Sequence, residues 1–264
     1  MATDWRKIMS LNDLGFSKKG QALYKKIIAL QEELKSQQVI PEDQFNQDIV
    51  ADMIRDGAPL ISKLPPCMGR DTFQDTIHRL CLLFIQYVPE RKGEIEEIMN
   101  LRSQFYAGMD IQAILKEHKQ IKADLLALIL ENAYRPYYLA LAEKLRNLND
   151  LNTWEKHYCP VCGETASLAS LDEQDGQRFL WCSYCTTGWH FRRLACLECG
   201  NINHEELKYF YLEDDSNLQV HTCTKCKSYI KTVRRGVIKQ KNLPLIDAQT
   251  VCLDLLAERE GYRR

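Results

Sequence analysis

The stretch Cys159-Pro160-Val161-Cys162 decides the fold of the second half of this chain, because its C-x-x-C spacing recurs three more times before residue 227. We call each C-x-x-C turn a knuckle and number the knuckles one to four along the chain. Two knuckles complete a tetrahedral site of four thiolates. Four knuckles therefore predict two metal ions, iron or zinc, each bound by four cysteines. The predicted metal ligands are Cys159, Cys162, Cys182, Cys185, Cys196, Cys199, Cys223 and Cys226.

The spacing between the knuckles favours one pairing. There are 19 residues between Cys162 and Cys182 and 23 between Cys199 and Cys223, which suits hairpins that return the chain to its own metal site. We therefore pair the first knuckle with the second and the third with the fourth. A cross-braced pairing, first with third and second with fourth, remains open. Gly163 follows the first knuckle and Gly200 the third, where a positive φ would turn backbone N–H groups toward sulfur.

Disulfide and thioredoxin-like interpretations of these cysteines are less favoured. The chain opens Met-Ala-Thr-Asp-Trp-Arg, which lacks the apolar segment of a secretory signal, and no apolar run is long enough to span a bilayer. We therefore expect a cytoplasmic protein without membrane insertion, in which paired C-x-x-C motifs bind metal. A redox C-x-x-C would follow a strand and open a helix, whereas these lie in short turn-forming segments.

The composition gives no reason to expect a nucleic-acid partner. The chain has 264 residues with 35 Lys and Arg against 36 Asp and Glu, a net charge of −1. Zinc ribbons that bind nucleic acid usually present a basic face. A short basic cluster near the fourth knuckle is interpreted as a solvated edge, with a partner-docking patch as the alternative. Its members are Lys225, Lys227, Lys231, Arg234 and Arg235.

The first half of the chain has a different pattern. Up to about residue 150, apolar residues recur every three or four positions, which is typical of amphipathic helices. Prolines and glycines divide this half into six or seven helices with short connections, so we expect an all-α bundle. The predicted helices run from Ser17 to Leu34, Pro41 to Gly57, Asp71 to Tyr87, Pro89 to Phe105, Ile111 to His118, Gln120 to Tyr134 and Tyr137 to Leu148.

Short alternating strands flank the knuckles in the second half, and the chain becomes helical again after Pro244. The predicted fold class is α+β. We expect an N-terminal helical domain over residues 1–150, a first Cys₄ ribbon module over 151–194, a second over 195–242, and a C-terminal helix over 243–264. The helical half contains no nucleophile–base pair, acid–base pair or phosphate loop, so no catalytic residues are assigned and an enzyme is not expected.

The motifs around the knuckles resemble those of the formate dehydrogenase accessory protein family (FdhE-type proteins). The resemblance covers roughly Leu151 to Tyr262 and is looser before it. It depends on the knuckles together with a Trp-His-x-x-Arg motif just before the third. The stretches that carry it are Tyr158–Gly163, Arg178–Cys185, Gly188–Arg193, Cys196–Gly200 and Cys223–Cys226.

This resemblance implies a role rather than a reaction. Members of the family look like cytoplasmic maturation factors that contact the catalytic subunit of molybdenum- or tungsten-dependent formate dehydrogenases. Their two Cys₄ sites are rubredoxin-like and have been associated with iron. Trp189, His190 and Arg193 are then candidate partner contacts, since exposed Trp and Arg are frequent interface anchors. The alternative is structural, with Trp189 packed over a knuckle and Arg193 paired with a carboxylate.

Two other functions remain open from the sequence. A zinc-ribbon protein that binds nucleic acid would show strongly salt-dependent association. A rubredoxin-like electron-transfer protein would show a reversible Fe(III)/Fe(II) couple. The sequence does not determine the oligomeric state.

Overall fold

The computed structural model describes residues 17–40, 47–109, 111–119, 121–147, 151–172, 174–212, 215–234, 238 and 243–264. These fall into two compact units, Lys18–Asn149 and Asp150–Arg264. The first is helical and the second combines a sheet with helices, so the mixed class expected from the sequence is confirmed. Within the described part of the chain, no helix has the length and apolarity needed to cross a bilayer.

Six α-helices lie in the described part of the helical unit. Helix α6 packs against α1 and α3, and α3 also packs against α4. The contacts bury apolar stripes such as Ile27, Leu30 and Leu34 on α1, spaced by three or four as the sequence indicated. The helices are α1 Lys18–Lys35, α2 Gln47–Asp56, α3 Arg70–Tyr87, α4 Lys92–Asn100, α5 Ile111–Glu117 and α6 Ala123–Asn147.

The predicted helix from Pro89 to Phe105 is shorter than expected. A 3₁₀ turn at Pro89–Arg91 precedes α4, and a second at Arg102–Gln104 follows it. Phe105 then adopts an extended conformation and is completely buried. The Gln74 side chain donates to the carbonyls of Ser103 and Phe105, each at 3.1 Å. Burial of Phe105 therefore ends the helix early. The predicted starts at Pro41 and Gln120 and the predicted end at Leu148 lie outside the described residues.

The two helices predicted on either side of Pro136 are one helix, α6. Proline removes the N–H that would bond the carbonyl four residues earlier, at Asn132, and an interior proline costs about 3 kcal/mol. The structure satisfies that carbonyl from another helix, because Gln31 Nε2 donates to the Asn132 oxygen at 3.1 Å. Gln31 Oε1 in turn accepts a 2.6 Å hydrogen bond from Arg135. A tertiary contact therefore allows the helix to continue through Pro136.

Replacing Gln31 by leucine is expected to destabilise the helical unit by about 1–3 kcal/mol, because it leaves the Asn132 carbonyl without this partner. The Pro136→Ala background supplies a matched control, since alanine restores an N–H to the same carbonyl. In that background Gln31→Leu should cost measurably less. Urea unfolding of the four proteins measures both costs. Equal costs in the two backgrounds would show that Gln31 does not compensate for the proline.

The second unit contains a six-stranded sheet in the order β3-β2-β1-β6-β5-β4. A knuckle precedes two antiparallel strands, a second knuckle follows them, and a third strand completes the pattern, which then repeats once. The strands are β1 Leu168–Leu171, β2 Arg178–Trp181, β3 Gly188–Phe191, β4 Leu207–Leu212, β5 Asp215–Cys223 and β6 Tyr229–Arg234.

The two repeats join in parallel. Strand β1 of the first repeat pairs with β6 of the second, with Leu168 opposite Lys231 and Leu171 opposite Arg234. All other strand pairs are antiparallel. The expected ribbon modules are thus halves of one continuous sheet, and the two sets of knuckles are carried on a common framework.

The single C-terminal helix expected after Pro244 is divided into α7, Leu243–Gln249, and α8, Val251–Arg259. Thr250 lies at the break and is buried. Its hydroxyl donates to the carbonyls of Ile246 at 2.8 Å and Asp247 at 3.1 Å, which competes with continuation of the helix. On α8, Leu253 and Leu256 are buried, whereas Leu255 is 47% exposed.

The interpretation of the basic cluster as a solvated edge is wrong for Lys231, which is buried. It is 1% exposed, and its ammonium lies 2.7 Å from Asp247 Oδ1 and 2.7 Å from Asp254 Oδ2. Ser183 donates to the other oxygen of Asp247, and Tyr229 donates to the other oxygen of Asp254. Lys231 therefore fixes α7 and α8 on the sheet. Arg235 lies outside the described residues.

Candidate metal centres

The four knuckles have the same backbone hydrogen bonds. In each, the carbonyl of the first cysteine accepts a bond of 2.9–3.1 Å from the N–H four residues later. The N–H of that cysteine donates to the carbonyl five residues later, at 2.7–2.9 Å. These two bonds close a tight loop that turns both cysteine side chains to one side.

This loop requires a positive φ at the residue after its second cysteine. Gly163 has φ 79° and Gly200 has φ 66°, as the sequence predicted. Thr186 at φ 62° and Lys227 at φ 63° occupy the same position in the second and fourth knuckles. A β-branched residue in this region is unusual. The hydrogen bonds of the knuckle and the geometry of its cysteines therefore dominate over the local preference of threonine.

The knuckles bring the eight cysteines into two groups of four. Within each group all sulfur atoms lie within 4.8 Å of one another. The first knuckle meets the second and the third meets the fourth, so the pairing favoured by spacing is confirmed over the cross-braced alternative. Centre 1 comprises Cys159, Cys162, Cys182 and Cys185, and centre 2 comprises Cys196, Cys199, Cys223 and Cys226.

The sulfur positions in centre 1 fit a tetrahedral metal ion. The Cys159 and Cys185 sulfurs are 3.4 Å apart, those of Cys162 and Cys182 are 3.5 Å apart, and those of Cys162 and Cys185 are 3.7 Å apart. Four thiolates about 2.3 Å from a central ion would be separated by about 3.8 Å. These sulfurs are therefore spaced for a shared metal ion.

Centre 2 has the same spacing. Its Cys196 and Cys226 sulfurs are 3.5 Å apart, and those of Cys199 and Cys223 are 3.8 Å apart. The two centres differ in accessibility, because three cysteines of centre 1 are buried while Cys199 of centre 2 is exposed. Both groups could hold a metal ion, and centre 2 is more open to exchange with solvent.

Two hydroxyl groups next to the sulfurs were missed by the sequence analysis. Thr187 Oγ1 lies 3.1 Å from the Cys185 sulfur. Ser228 Oγ lies 3.1 Å from the Cys226 sulfur and 3.2 Å from that of Cys196. Both hydroxyls come two residues after the second cysteine of a knuckle, so C-x-x-C-x-[S/T] was the available signal. Such hydrogen bonds orient thiolate ligands and stabilise their charge.

The same hydroxyls affect the protonation of the cysteines. Burial raises the pKa of Cys185, but hydrogen bonds from neighbouring thiols and from Thr187 lower it well below its usual range. Burial also opposes ionisation of Cys226, yet its bonds, led by that to Ser228, lower its pKa to about 6. Burial raises the pKa of Cys159. Each centre thus contains one cysteine that ionises easily to a thiolate. A metal ion that bound there would displace the protons of the other cysteines in the same centre.

The three candidate partner contacts have different environments. Trp189 is 1% exposed and its Nε1 donates to the Lys156 carbonyl at 2.9 Å, so a surface contact at Trp189 is not possible in this fold. The His190 ring lies against Phe179 with centroids 3.8 Å apart. Arg193 is exposed. Trp189 is therefore structural, while His190 and Arg193 remain predictions.

The ion pair with a carboxylate that was expected for Arg193 is made by its neighbour, Arg192. Arg192 lies 3.2 Å from Glu155 in an exposed ion pair. The Arg193 guanidinium instead covers Gly176, where an added Cβ would collide with it. Gly176 has φ 67° in the turn between β1 and β2, so a glycine there serves both the turn and this close approach.

Comparison with known proteins agrees with this architecture. The family model described as "FdhE, central domain" matches residues 158–193, a segment that contains all four ligands of centre 1. A protein FdhE homolog of Aquifex aeolicus is 30% identical over 188 residues, which is 69% of this chain and 64% of the relative. A protein FdhE homolog of Haemophilus influenzae is 27% identical over 65% of this chain and 54% of its own length.

The chain resembles FdhE proteins over more than two thirds of its length. The crystal structure of the FdhE protein from Pseudomonas aeruginosa is similar with a TM-score of 0.60 and 21% identity, over 90% of this chain and 84% of that one. At this identity the structural match shows that the fold is shared. The sequence matches span about half to two thirds of the length of these FdhE relatives.

Proposed function

We propose that this FdhE-like protein is a cytoplasmic, non-catalytic maturation factor that binds the catalytic subunit of formate dehydrogenase. The similarity to FdhE proteins carries the proposal, since the FdhE-type family is one of formate dehydrogenase accessory proteins. The match to the FdhE central domain falls on centre 1 and its strands, which supports a role for the metal-bearing unit in that function.

The metal centres suit a rigid docking surface. Each centre ties a loop before a hairpin to the loop after it, and the two hairpin repeats share one sheet. A rigid surface loses little conformational entropy when a partner binds. We therefore assign the metals, iron or zinc, a structural role in holding this surface.

Exposed aromatic and basic side chains mark a candidate contact surface on this unit. Tyr209 and Tyr211 stand on β4, which is an edge strand, and are 62% and 49% exposed with ring centroids 6.5 Å apart. Leu194, beside Arg193, is 63% exposed. Tyr and Arg are enriched among the residues that dominate binding energy at protein interfaces. These residues are our candidates for contact with the subunit.

The metal-loaded chain should capture the formate dehydrogenase catalytic subunit from cells that make it. Arg193→Ala and Tyr211→Ala should each weaken capture about tenfold, a typical cost of about 1.4 kcal/mol or more at an interface anchor, without changing metal content. Arg259→Ala, an exposed change on α8, is the matched control and should have no effect. Undiminished capture by both variants would exclude this surface. Absence of association with the unaltered chain would exclude the proposed function.

A further inference from the structure

A cavity of about 350 Å³ lies beside centre 2 in the Asp150–Arg264 unit. Its wall includes Arg178 and His221, and Arg193, Lys208, Leu194 and Tyr209 also line it. Lys208, Arg193, Leu194 and Tyr209 are exposed, whereas Arg178 is 5% exposed. Its volume is within the range of small-molecule sites, and it combines apolar walls with a few polar groups, as such sites do.

The charges around this cavity are unbalanced. Three of the described lining residues are cationic, namely Arg178, Arg193 and Lys208, and none of the described lining residues is Asp or Glu. Burial lowers the pKa of Arg178 to about 10, so this guanidinium keeps its charge at neutral pH. A buried guanidinium is normally paired with an anion, because burial of an unpaired charge is costly.

The hydrogen bonds of Arg178 do not use all of the N–H donors of its guanidinium. Its Nη1 donates to the carbonyls of Ala195 at 2.9 Å and Arg192 at 3.5 Å, and its Nη2 lies 3.4 Å from His221 Nδ1. Its Nε is buried and has no partner among the residues that the structure describes. His221 is a neutral acceptor here, since its Nε2 lies 3.0 Å from Gln219 Oε1 and can donate to it. None of these partners supplies the negative charge that the guanidinium lacks.

The thiolates of centre 2 are the other candidate counter-charge. Cys196 and Cys223 also border the cavity, and four thiolates with one divalent ion carry a net charge of −2. The nitrogens of Arg178 nevertheless bond two carbonyls and an imidazole rather than a sulfur. The Nε donor therefore remains free for another acceptor.

We propose that this cavity is a binding site for a small ligand that carries an oxyanion, a carboxylate or a phosphate ester, on an apolar body. Arg178 binds the oxyanion at the wall of the cavity, Arg193 attracts it at the mouth, and Leu194 and Tyr209 contact the apolar part. Guanidinium binds both oxyanions through charge-assisted hydrogen bonds. The cavity shares Arg193, Leu194 and Tyr209 with the proposed contact surface. Ligand binding is measured with the chain alone, so this inference and the proposed function can fail separately.

Calorimetry with the metal-loaded full chain tests the proposal, using benzoate and phenyl phosphate as probes and benzyl alcohol as the uncharged analogue. At least one anion should bind at least tenfold more tightly than the alcohol. Tighter benzoate binding indicates a carboxylate ligand, and tighter phenyl phosphate binding indicates a phosphate ester. Arg178→Gln should weaken the preferred anion tenfold or more, and Arg193→Glu about threefold or more. Arg259→Glu in the same unit should leave affinity unchanged.

Arg193 is exposed, so Arg193→Glu keeps the test valid if Arg178→Gln does not fold. The proposal is overturned if neither anion binds the unaltered chain at millimolar concentration, or if Arg193→Glu binds as tightly as the unaltered chain. It is also overturned if anions and benzyl alcohol bind equally. Loss of metal from centre 2 in Arg178→Gln, with no anion binding by the unaltered chain, would assign Arg178 as the counter-charge of the thiolates.

Discussion

Removing both metal ions is expected to unfold residues 150–264 while the helical unit Lys18–Asn149 stays folded. A structural zinc site contributes about 10–16 kcal/mol to folding in small metal-binding domains, as much as or more than the whole stability of a typical domain. The two centres join all four knuckles, and each knuckle precedes or follows a strand of the sheet along the chain. The helical unit has its own buried core, including Phe73, Ile77 and Leu126.

Hydrogen exchange measured peptide by peptide, with and without a strong chelator, reports this result. Protection should be lost across the strands and kept in α1, α3 and α6. Centre 2 should lose its ion first, because Cys199 is exposed whereas centre 1 is more buried. Cys159→Ser and Cys223→Ser should destabilise the same unit selectively. The matched control is Cys81→Ser, a buried cysteine of α3 outside both centres. Equal loss of protection in both units, or no loss after both ions leave, would contradict the expectation.

Replacing Lys231 by methionine should destabilise the second unit by about 3–5 kcal/mol, the usual cost of breaking a buried ion pair from one side. Methionine fills a similar volume, so the loss is mainly electrostatic. Asp247 and Asp254 would then lose their shared cation while remaining largely inside the protein, with side-chain exposures of 20% and 16%. Thermal unfolding at equal metal content measures the loss.

Two further variants separate charge from packing. Lys225→Met changes an exposed lysine six residues earlier and should alter stability by no more than about 0.5 kcal/mol. Adding Asp254→Asn to Lys231→Met should recover part of the loss, since it removes one uncompensated carboxylate. A cost below about 1 kcal/mol for Lys231→Met would mean that the ion pairs do not hold α7 and α8 on the sheet.

The two groups of cysteines were predictable because the patterns that specify them lie within short stretches of the sequence. A C-x-x-C spacing fixes a turn, and the lengths of the segments between knuckles favour the hairpin pairing that the structure has. Strand β1 pairing with β6 was not predictable in this way. It joins Leu168 to Lys231 in parallel, without a turn between them whose residues could be recognised.

The remaining differences come from contacts between residues far apart in the sequence. Pro136 indicated a break between two helices, but Gln31, on another helix, satisfies the carbonyl that the proline leaves free. Lys231 was assigned to a solvated cluster, but Asp247 and Asp254 fold back over it. Arg178 lay in a recognised motif, yet only the fold shows that it is buried beside a cavity without a carboxylate. The limits of the expected ribbon modules stay predictions.

The metal content of the purified chain, combined with X-ray absorption at the metal edge, tests the central claim most directly. The account predicts two ions per chain, iron or zinc, each with four sulfur neighbours at about 2.3 Å. Cys199→Ser should reduce the number of ions bound by four sulfurs to one while leaving centre 1 intact. One ion or none in the unaltered chain, or oxygen and nitrogen neighbours in place of sulfur, would contradict it.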